Sequence, residues 1–242
     1  MLRASDIFRL DLGYFIRPAS ETANGHDRIE PCLAYAIRLP DGVFLFDTGI
    51  GSGWPEVQSH YQPVRRSLAA ALRSAKVRIE DVRWVANCHL HFDHCGGNPL
   101  FEGRPIFTQA SELATARALE SYTLPDLIDF AGVVYEELHG EAEIKPGLFI
   151  LPTPGHTEGH QSLVVRCTDG TTVLAGQAYN LASDMTSDWL AREVVVNGLP
   201  TGPHSFQAWL DRLSQFDPAR VLFAHDLSVW EPEKLFTQRN VR

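Results

Sequence analysis

His89-Leu90-His91-Phe92-Asp93-His94-Cys95-Gly96-Gly97-Asn98 puts four side chains of the metal-binding kind within six positions, and no fold can leave such a run without partners. Three imidazoles and a carboxylate crowded into an apolar interior would each lose hydration, so they call for a cation between them. In an extended segment, positions 89, 91 and 93 point to one side, and Leu90 and Phe92 point to the core. His94 breaks that alternation, so a turn is expected after Asp93, with Gly96 and Gly97 supplying the backbone freedom for it. A lone His-x-His pair is ordinary on an exposed strand. His-x-His-x-Asp-His ahead of Gly-Gly is not.

The rest of the chain sets limits on what surrounds this run. With 242 residues, 44% of them hydrophobic, residues 1–242 can bury a sizeable core as one domain. No linker, low-complexity tract or charge block divides them. A net charge of −9 argues against nucleic acid as a partner, because phosphate binding needs a basic face. Arg3, Asp6, Arg9 and Asp11 interrupt any signal-peptide core. No apolar run approaches the ~20 residues of a membrane span. Cysteines at 32, 88, 95 and 167 are too scattered for a disulfide framework, so reduced thiols in a cytoplasm are expected. Cys88 is out of phase with the ligands, and it and Cys95 read as small buried packing residues.

Residues 7–15 read as a strand and 17–31 as a loop. Residues 33–39 and 43–46 form a hairpin about Pro40-Asp41-Gly42, which ends at Asp47. The hairpin is echoed 128 residues on, where Arg166 matches Arg38 and Asp169-Gly170 matches the turn. Residues 64–75 have helical period, and Pro63 stands at the start. A buried strand at 82–85 delivers the chain to His89. A strand at 106–107 precedes a helix capped by Ser111 that runs to about Leu119. Residues 125–134 are helical or irregular. A strand at 148–151 leads into Pro154-Gly155-His156, 206–216 reads as an amphipathic helix, and 221–224 is a strand ending at His225.

Residues 89–98 resemble the signature of the metallo-β-lactamase-fold hydrolases. Together with Pro105-Ile106-Phe107 and Ser111-Glu112 they resemble the N-acyl-homoserine-lactone lactonase branch. The resemblance runs from Cys32 to His225 and implies an α/β (α+β) fold, a four-layer αββα sandwich. It implies two divalent metal ions, zinc by preference. His89, His91 and His156 would hold one of them, and Asp93, His94 and His225 the other. Asp47 falls where the family keeps a carboxylate that orients a ligand imidazole, and His160 matches a supporting position. Gln177 stands where the family usually has a metal-bridging aspartate, and its amide brings an oxygen without a charge. The branch also carries a tyrosine three residues beyond that aspartate, whereas Tyr179 is two beyond Gln177. His26, His60, His139 and His204 read as solvated.

Cations in an open site polarise a carbonyl and lower the pKa of bound water toward ~7. Asp93 is placed to hold the nucleophile and relay its proton, and Tyr179 is the second catalytic candidate. The expected substrate is a lactone or carboxylic ester, with acyl-homoserine lactones foremost. Tyr14, Phe15, Trp54, Met185 and Trp189 are candidates to receive an acyl chain. The rival readings are a thioester or phosphodiester hydrolase of the same fold, or a degenerate metal-binding protein without catalysis.

Overall fold

The computed structural model describes residues 1–22, 24–198 and 205–232. An antiparallel meander of β1 (Ile7–Arg17), β2 (Arg28–Leu39) and β3 (Gly42–Phe46) is followed by α1 (Pro55–Tyr61), β4 (Val64–Arg65) and α2 (Leu68–Ser74). Next come β5 (Val82–Ala86), β6 (Pro105–Gln109), α3 (Ala110–Ala118), α4 (Pro125–Ile128) and β7 (Val134–Leu138). The second half holds β8 (Ala142–Lys145), β9 (Leu148–Pro152), β10 (Gln161–Val165) and β11 (Thr171–Leu174). It closes with α5 (Ala182–Val196), α6 (Leu210–Ser214), β12 (Pro218–Leu222) and β13 (Val229–Trp230). One sheet has the order β4-β1-β2-β3-β5-β6-β7 and the other β13-β12-β11-β10-β9-β8.

Period-two alternation explains why these sheets stack. Leu33, Tyr35, Ile37, Phe44 and Phe46 of the first sheet meet Leu148, Ile150, Leu163, Val165 and Leu174 of the second in a shared core. The opposite phase of β2 and β3, including Ala34, Ala36, Val43 and Leu45, packs under Leu68 and Leu72 of α2. On the far side, Val164, Val173 and Val221 lie under Met185 and Trp189 of α5 and Leu210 and Leu213 of α6. Helices therefore cover the outer face of each sheet, as the αββα expectation requires.

The repeated hairpin is a true structural echo. Ile37 pairs with Phe44 in β2–β3, and Val165 pairs with Thr172 in β10–β11, so the two registers coincide at the 128-residue offset seen in the sequence. β3 then runs parallel to β5, and β11 runs parallel to β12. No helix among the described residues is long and apolar enough to cross a membrane.

Local expectations need several corrections. β2 begins at Arg28, inside the stretch read as loop, because β1 continues to Arg17 and supplies it with a partner. The helix expected over 64–75 is a two-residue strand, Val64–Arg65, and a helix from Leu68, capped by Ser67. Ser111 is not a cap: α3 starts at Ala110 and its N-cap is Gln109. Only Leu210–Ser214 of the 206–216 stretch is α-helical. Residues 89–94 are not extended, since His94 N–H and Cys95 N–H both bond back to the His91 carbonyl. The turn thus begins at His91 rather than after Asp93.

Candidate metal centre

Strand ends deliver the site. β3 leads directly into Asp47, β5 releases residues 87–94, β9 leads to His156, β11 to Gln177 and β12 to His225. A polar clasp holds the loop after β5. Thr48 N–H and the Asn87 side-chain amide donate to the His94 carbonyl at 2.8 and 2.9 Å, and Asn98 bonds Asn87 at 2.9 Å. Gly96 serves this clasp by its size. Its φ is not left-handed, but a Cβ there would lie 2.0 Å from the Gly51 nitrogen. The glycine is set by backbone contact rather than by turn geometry.

Two groups of ligand atoms result. His89 Nε2 lies 2.9 Å from His91 Nδ1, which lies 3.2 Å from His156 Nε2. Asp93 Oδ2 lies 3.4 Å from both His94 Nε2 and His225 Nε2, and those two nitrogens are 3.2 Å apart. For a tetrahedral ion with bonds of ~2.0–2.1 Å, neighbouring ligand atoms are roughly 3.3 Å apart. The spacing of both groups fits a small divalent cation. Nitrogen-rich donors with one carboxylate suit a borderline ion such as zinc.

Electrostatics favours the same occupant. Burial holds the His89 imidazole well below its ordinary range, lowers His91 to about 4 and, with the neighbouring imidazoles, lowers His156 to about 2. Those nitrogens stay unprotonated and free to bind a metal. His94 behaves oppositely. Burial works against its cation, but Cys88, Asp93 and Asp47 more than reverse this and hold it well above the usual range. Its surroundings demand a positive charge at His94.

The supporting residues lie behind the ligands. Asp47 Oδ2 sits 3.0 Å from His94 Nδ1, and Oδ1 accepts the Cys88 N–H at 2.8 Å. This turns His94 Nε2 toward Asp93 and His225. Asp47 adopts φ 65°, a left-handed conformation that non-glycine residues reach at a cost of about 1–3 kcal/mol. His160 Nε2 accepts the Gln177 N–H at 3.1 Å, so its proton sits on Nδ1, which faces Thr153 Oγ1 at 2.8 Å. Gln177 directs Oε1 to His94 Nε2 at 3.2 Å and donates its amide to Asn180 at 3.0 Å.

A cavity of about 190 Å3 opens above the ligands, lined by Phe15, Arg17, Glu21, Tyr61, His91, Phe92, Asp93, His156 and Gln177. Tyr179 is a correction. Its hydroxyl donates to Asp188 Oδ2 at 2.8 Å, and it belongs to the core beneath α5, so it takes no part in the cavity lining. Of the five apolar candidates for the mouth, Phe15 lines the cavity, while Met185 and Trp189 are on the buried face of α5, packed in the core against the second sheet. Cys88 also does more than pack, with Sγ 3.2 Å from both His89 Nδ1 and His94 Nδ1. His26 and His139 are exposed, His60 meets Glu21 at 2.7 Å, and His204 lies outside the described residues.

Sequence reasoning quoted Glu112 only as part of a family signature, without a role, and missed Tyr122, Arg17, Glu21 and Tyr61. Glu112 is 1% exposed and accepts Leu90 N–H at 2.8 Å, Thr157 Oγ1 at 2.7 Å and the Tyr122 hydroxyl. The Tyr122 ring rests 4.5 Å from that of His91. A carboxylate at the third position of a helix is ordinary in sequence, and only its burial marks it.

The comparisons agree with this geometry. A family model described as "Metallo-beta-lactamase superfamily" matches residues 27–225. An N-acyl homoserine lactonase of Bacillus cereus is 29% identical over 160 residues, and one from a Bacillus species is 39% identical over 156. Both alignments cover 60% of this chain, which spans 62% of the length of these curated relatives. Among solved structures, an N-acyl homoserine lactone hydrolase with N-hexanoyl-L-homoserine at its catalytic metal centre superposes with a TM-score of 0.70 at 23% identity. That superposition covers 91% of this chain and 93% of the other. The dizinc quorum-quenching lactonase AidC gives 0.63 at 15% identity, covering 90% and 86%. With its ligand-bearing strand ends, its αββα layers and a family match over most of its length, this chain belongs to the metallo-beta-lactamase superfamily.

Proposed function

We propose that the chain is a metal-dependent hydrolase that opens a lactone or carboxylic ester, with N-acyl homoserine lactones as its leading substrate class. The observation that carries this reading is the convergence of two three-ligand groups on one cavity that Asp93 borders. The names of the curated relatives and the product held by the solved neighbour support it. In this reading residues 1–242 act as one domain, because both sheets share one core. Four free cysteines favour a reducing compartment such as the cytoplasm.

His89, His91 and His156 would hold one ion and Asp93, His94 and His225 the other, zinc in both places, with Gln177 offering a neutral oxygen beside His94. Such ions supply Lewis-acid polarisation of a carbonyl and acidify water toward a pKa of ~7. The protein's own residues do the rest. Asp93 turns Oδ2 to His94 and His225, which leaves Oδ1 to take the proton of the attacking water and return it to the leaving alkoxide. Asp47 and His160 hold His94 and Gln177 in place. Phe15, Phe92 and Tyr61 wall the cavity and exclude bulk water.

Metal analysis and a substrate panel on one preparation test the reading. About two transition-metal ions per chain and turnover of a lactone are expected, with little turnover of a thioester or phosphodiester. Turnover of either rival without the lactone, or metal-free protein that cannot be loaded, would overturn it.

A further inference from the structure

Arg17 lines the cavity with His91, Asp93 and His156, and no metal-binding motif accounts for it. Its position comes from an irregularity in β1. Asp11 pairs with Leu33 but Tyr14 pairs with Pro31, so three steps on β1 match two on β2. One extra residue moves every later side chain to the opposite face. Phe15 and Arg17 therefore share the face of Leu10 and Leu12 instead of alternating away from it. Gly13 permits the irregularity, with φ 117° and the β4 backbone where a Cβ would stand.

The guanidinium is rigidly held. Arg17 Nε and Nη2 donate to the two oxygens of Glu30 at 2.8 and 2.9 Å, and Nη1 donates to Glu21 at 3.2 Å. Glu30 is 1% exposed and is also bound by Arg28 Nε at 2.8 Å. Three of the five N–H bonds of an arginine are used in this way. The other two meet no acceptor among the described residues. Arg17 and Arg28 balance Glu21 and Glu30, so the cluster presents fixed donors with no net charge.

We propose that Arg17 is the specificity-determining residue for a neutral carbonyl beside the scissile lactone, and that it selects N-acylated lactones over plain ones. This rests on the lactone-hydrolase reading above. A charge-balanced donor pair suits an amide oxygen, whereas a free carboxylate would need uncompensated positive charge. The cavity volume of about 190 Å3 is below the roughly 300–1,000 Å3 that encloses a drug-sized ligand. It holds the ring and its amide and lets a long acyl chain leave through the mouth.

The test compares metal-loaded wild type, Arg17→Met and Arg17→Lys on three probes. These are N-hexanoyl homoserine lactone, an alkyl γ-butyrolactone without the amide, and γ-carboxy-γ-butyrolactone. For Arg17→Met, KM for the acylated lactone should rise roughly ten- to hundredfold, the range of a hydrogen bond from a charged donor. kcat should change less. The kcat/KM ratio of acylated to alkyl lactone should fall at least tenfold, with metal content unchanged. Arg17→Lys keeps the pairing with Glu30 and should move the ratio the same way by less, which preserves the test if the methionine variant does not fold. Equal losses on both lactones, an unchanged ratio in folded variants, or a wild-type preference for the carboxylated probe would overturn the assignment of Arg17. A wild type inactive on every lactone would overturn the function along with it.

Discussion

His89, His91 and His156 present three neutral imidazoles, of which half-buried His91 and exposed His156 line the cavity while His89 lies buried behind them. Asp93, His94 and His225 lie a few ångströms away and are all buried, 4%, 1% and 2% exposed. The second group adds a carboxylate among its ligands and another, Asp47, behind His94. Gln177, taken alone, marks this group as the weaker, because the amide withdraws a bridging charge. Burial and charge reverse that order. A cation between Asp93 and His94 replaces water poorly available in the interior and meets negative charge at short range, whereas the imidazole group offers none and stays open to chelators.

The largest effect should come from His89→Ala. It should empty the imidazole group, leave about one ion per chain and abolish hydrolysis. Two ions retained per chain would show that His89 is no ligand. The same contrast orders a chelator titration of the wild type, in which the imidazole group gives up its ion first. Simultaneous release would break the comparison.

Asp47→Asn should be the next largest. Asparagine tolerates the left-handed backbone, so the variant removes charge without adding strain. Residues that orient a ligand imidazole are typically worth 10–100-fold in metal affinity. Competition with a chromophoric chelator should show that loss at the Asp93 group alone, and equal losses at both groups would contradict it.

Gln177→Asp should have a smaller effect of opposite sign. A charge pair at ~4 Å and an effective dielectric constant of ~20 is worth about 4 kcal/mol before desolvation, and burial of the carboxylate removes much of this. Both ions should bind more tightly, by roughly tenfold. The acidic limb of the pH–rate profile should move upward, because an added negative charge makes the attacking water less acidic. Unchanged affinity and an unchanged profile would place Gln177 outside the reach of either ion.

The smallest effect concerns the rim that holds Arg17. Burial pushes the Glu30 carboxyl up, but the bonds from Arg17 and the charge of His225 bring it below its ordinary value of 4.5. The folded state therefore binds fewer protons than the unfolded state just below that pH. The stabilisation is fully present above about pH 4.5 and is lost as pH falls through the folded value. Glu30→Gln should flatten this part of the stability–pH curve, as read by urea melts at successive pH values. An unaltered acid limb would show that the pair is not coupled to folding.

Legibility in the sequence followed how local each signal was. Residues 89–94 carry their chemistry in adjacent positions, so the ligand run stood out, whereas His156 and His225, ordinary histidines at strand mouths, were singled out only by the family resemblance. The turn chemistry of Pro40-Asp41-Gly42 gave the hairpin of 33–39 and 43–46 directly. The rim was hidden because Arg17, Glu21 and Glu30 look like ordinary loop charges until the pairing of β1 with β2 is known. The role of Glu112 was hidden because only its burial on α3 marks it. Tyr179 misled because proximity in sequence to Gln177 does not set direction, and its hydroxyl went to Asp188 on α5. Gly96 was recognised as necessary, but the reason was packing against Gly51.

The echoed hairpins give the centre a mechanical role. Each ligand group takes two side chains from the loop after β5 in the first sheet and one from the second sheet, His156 after β9 or His225 after β12. The two repeats otherwise touch at this end through few backbone bonds, such as Leu33 N–H to the Ala224 carbonyl at 2.9 Å and Gln161 N–H to the Cys88 carbonyl at 2.8 Å. An ion held in either group would then be a rivet between the two similar halves. At a free concentration 1,000 times its Kd, each ion adds about 4 kcal/mol against separation of the halves. Stripped of metal, the sandwich should open first along this seam, so amides at the ends of β5, β9 and β12 should gain hydrogen exchange before those in the middle of the shared core.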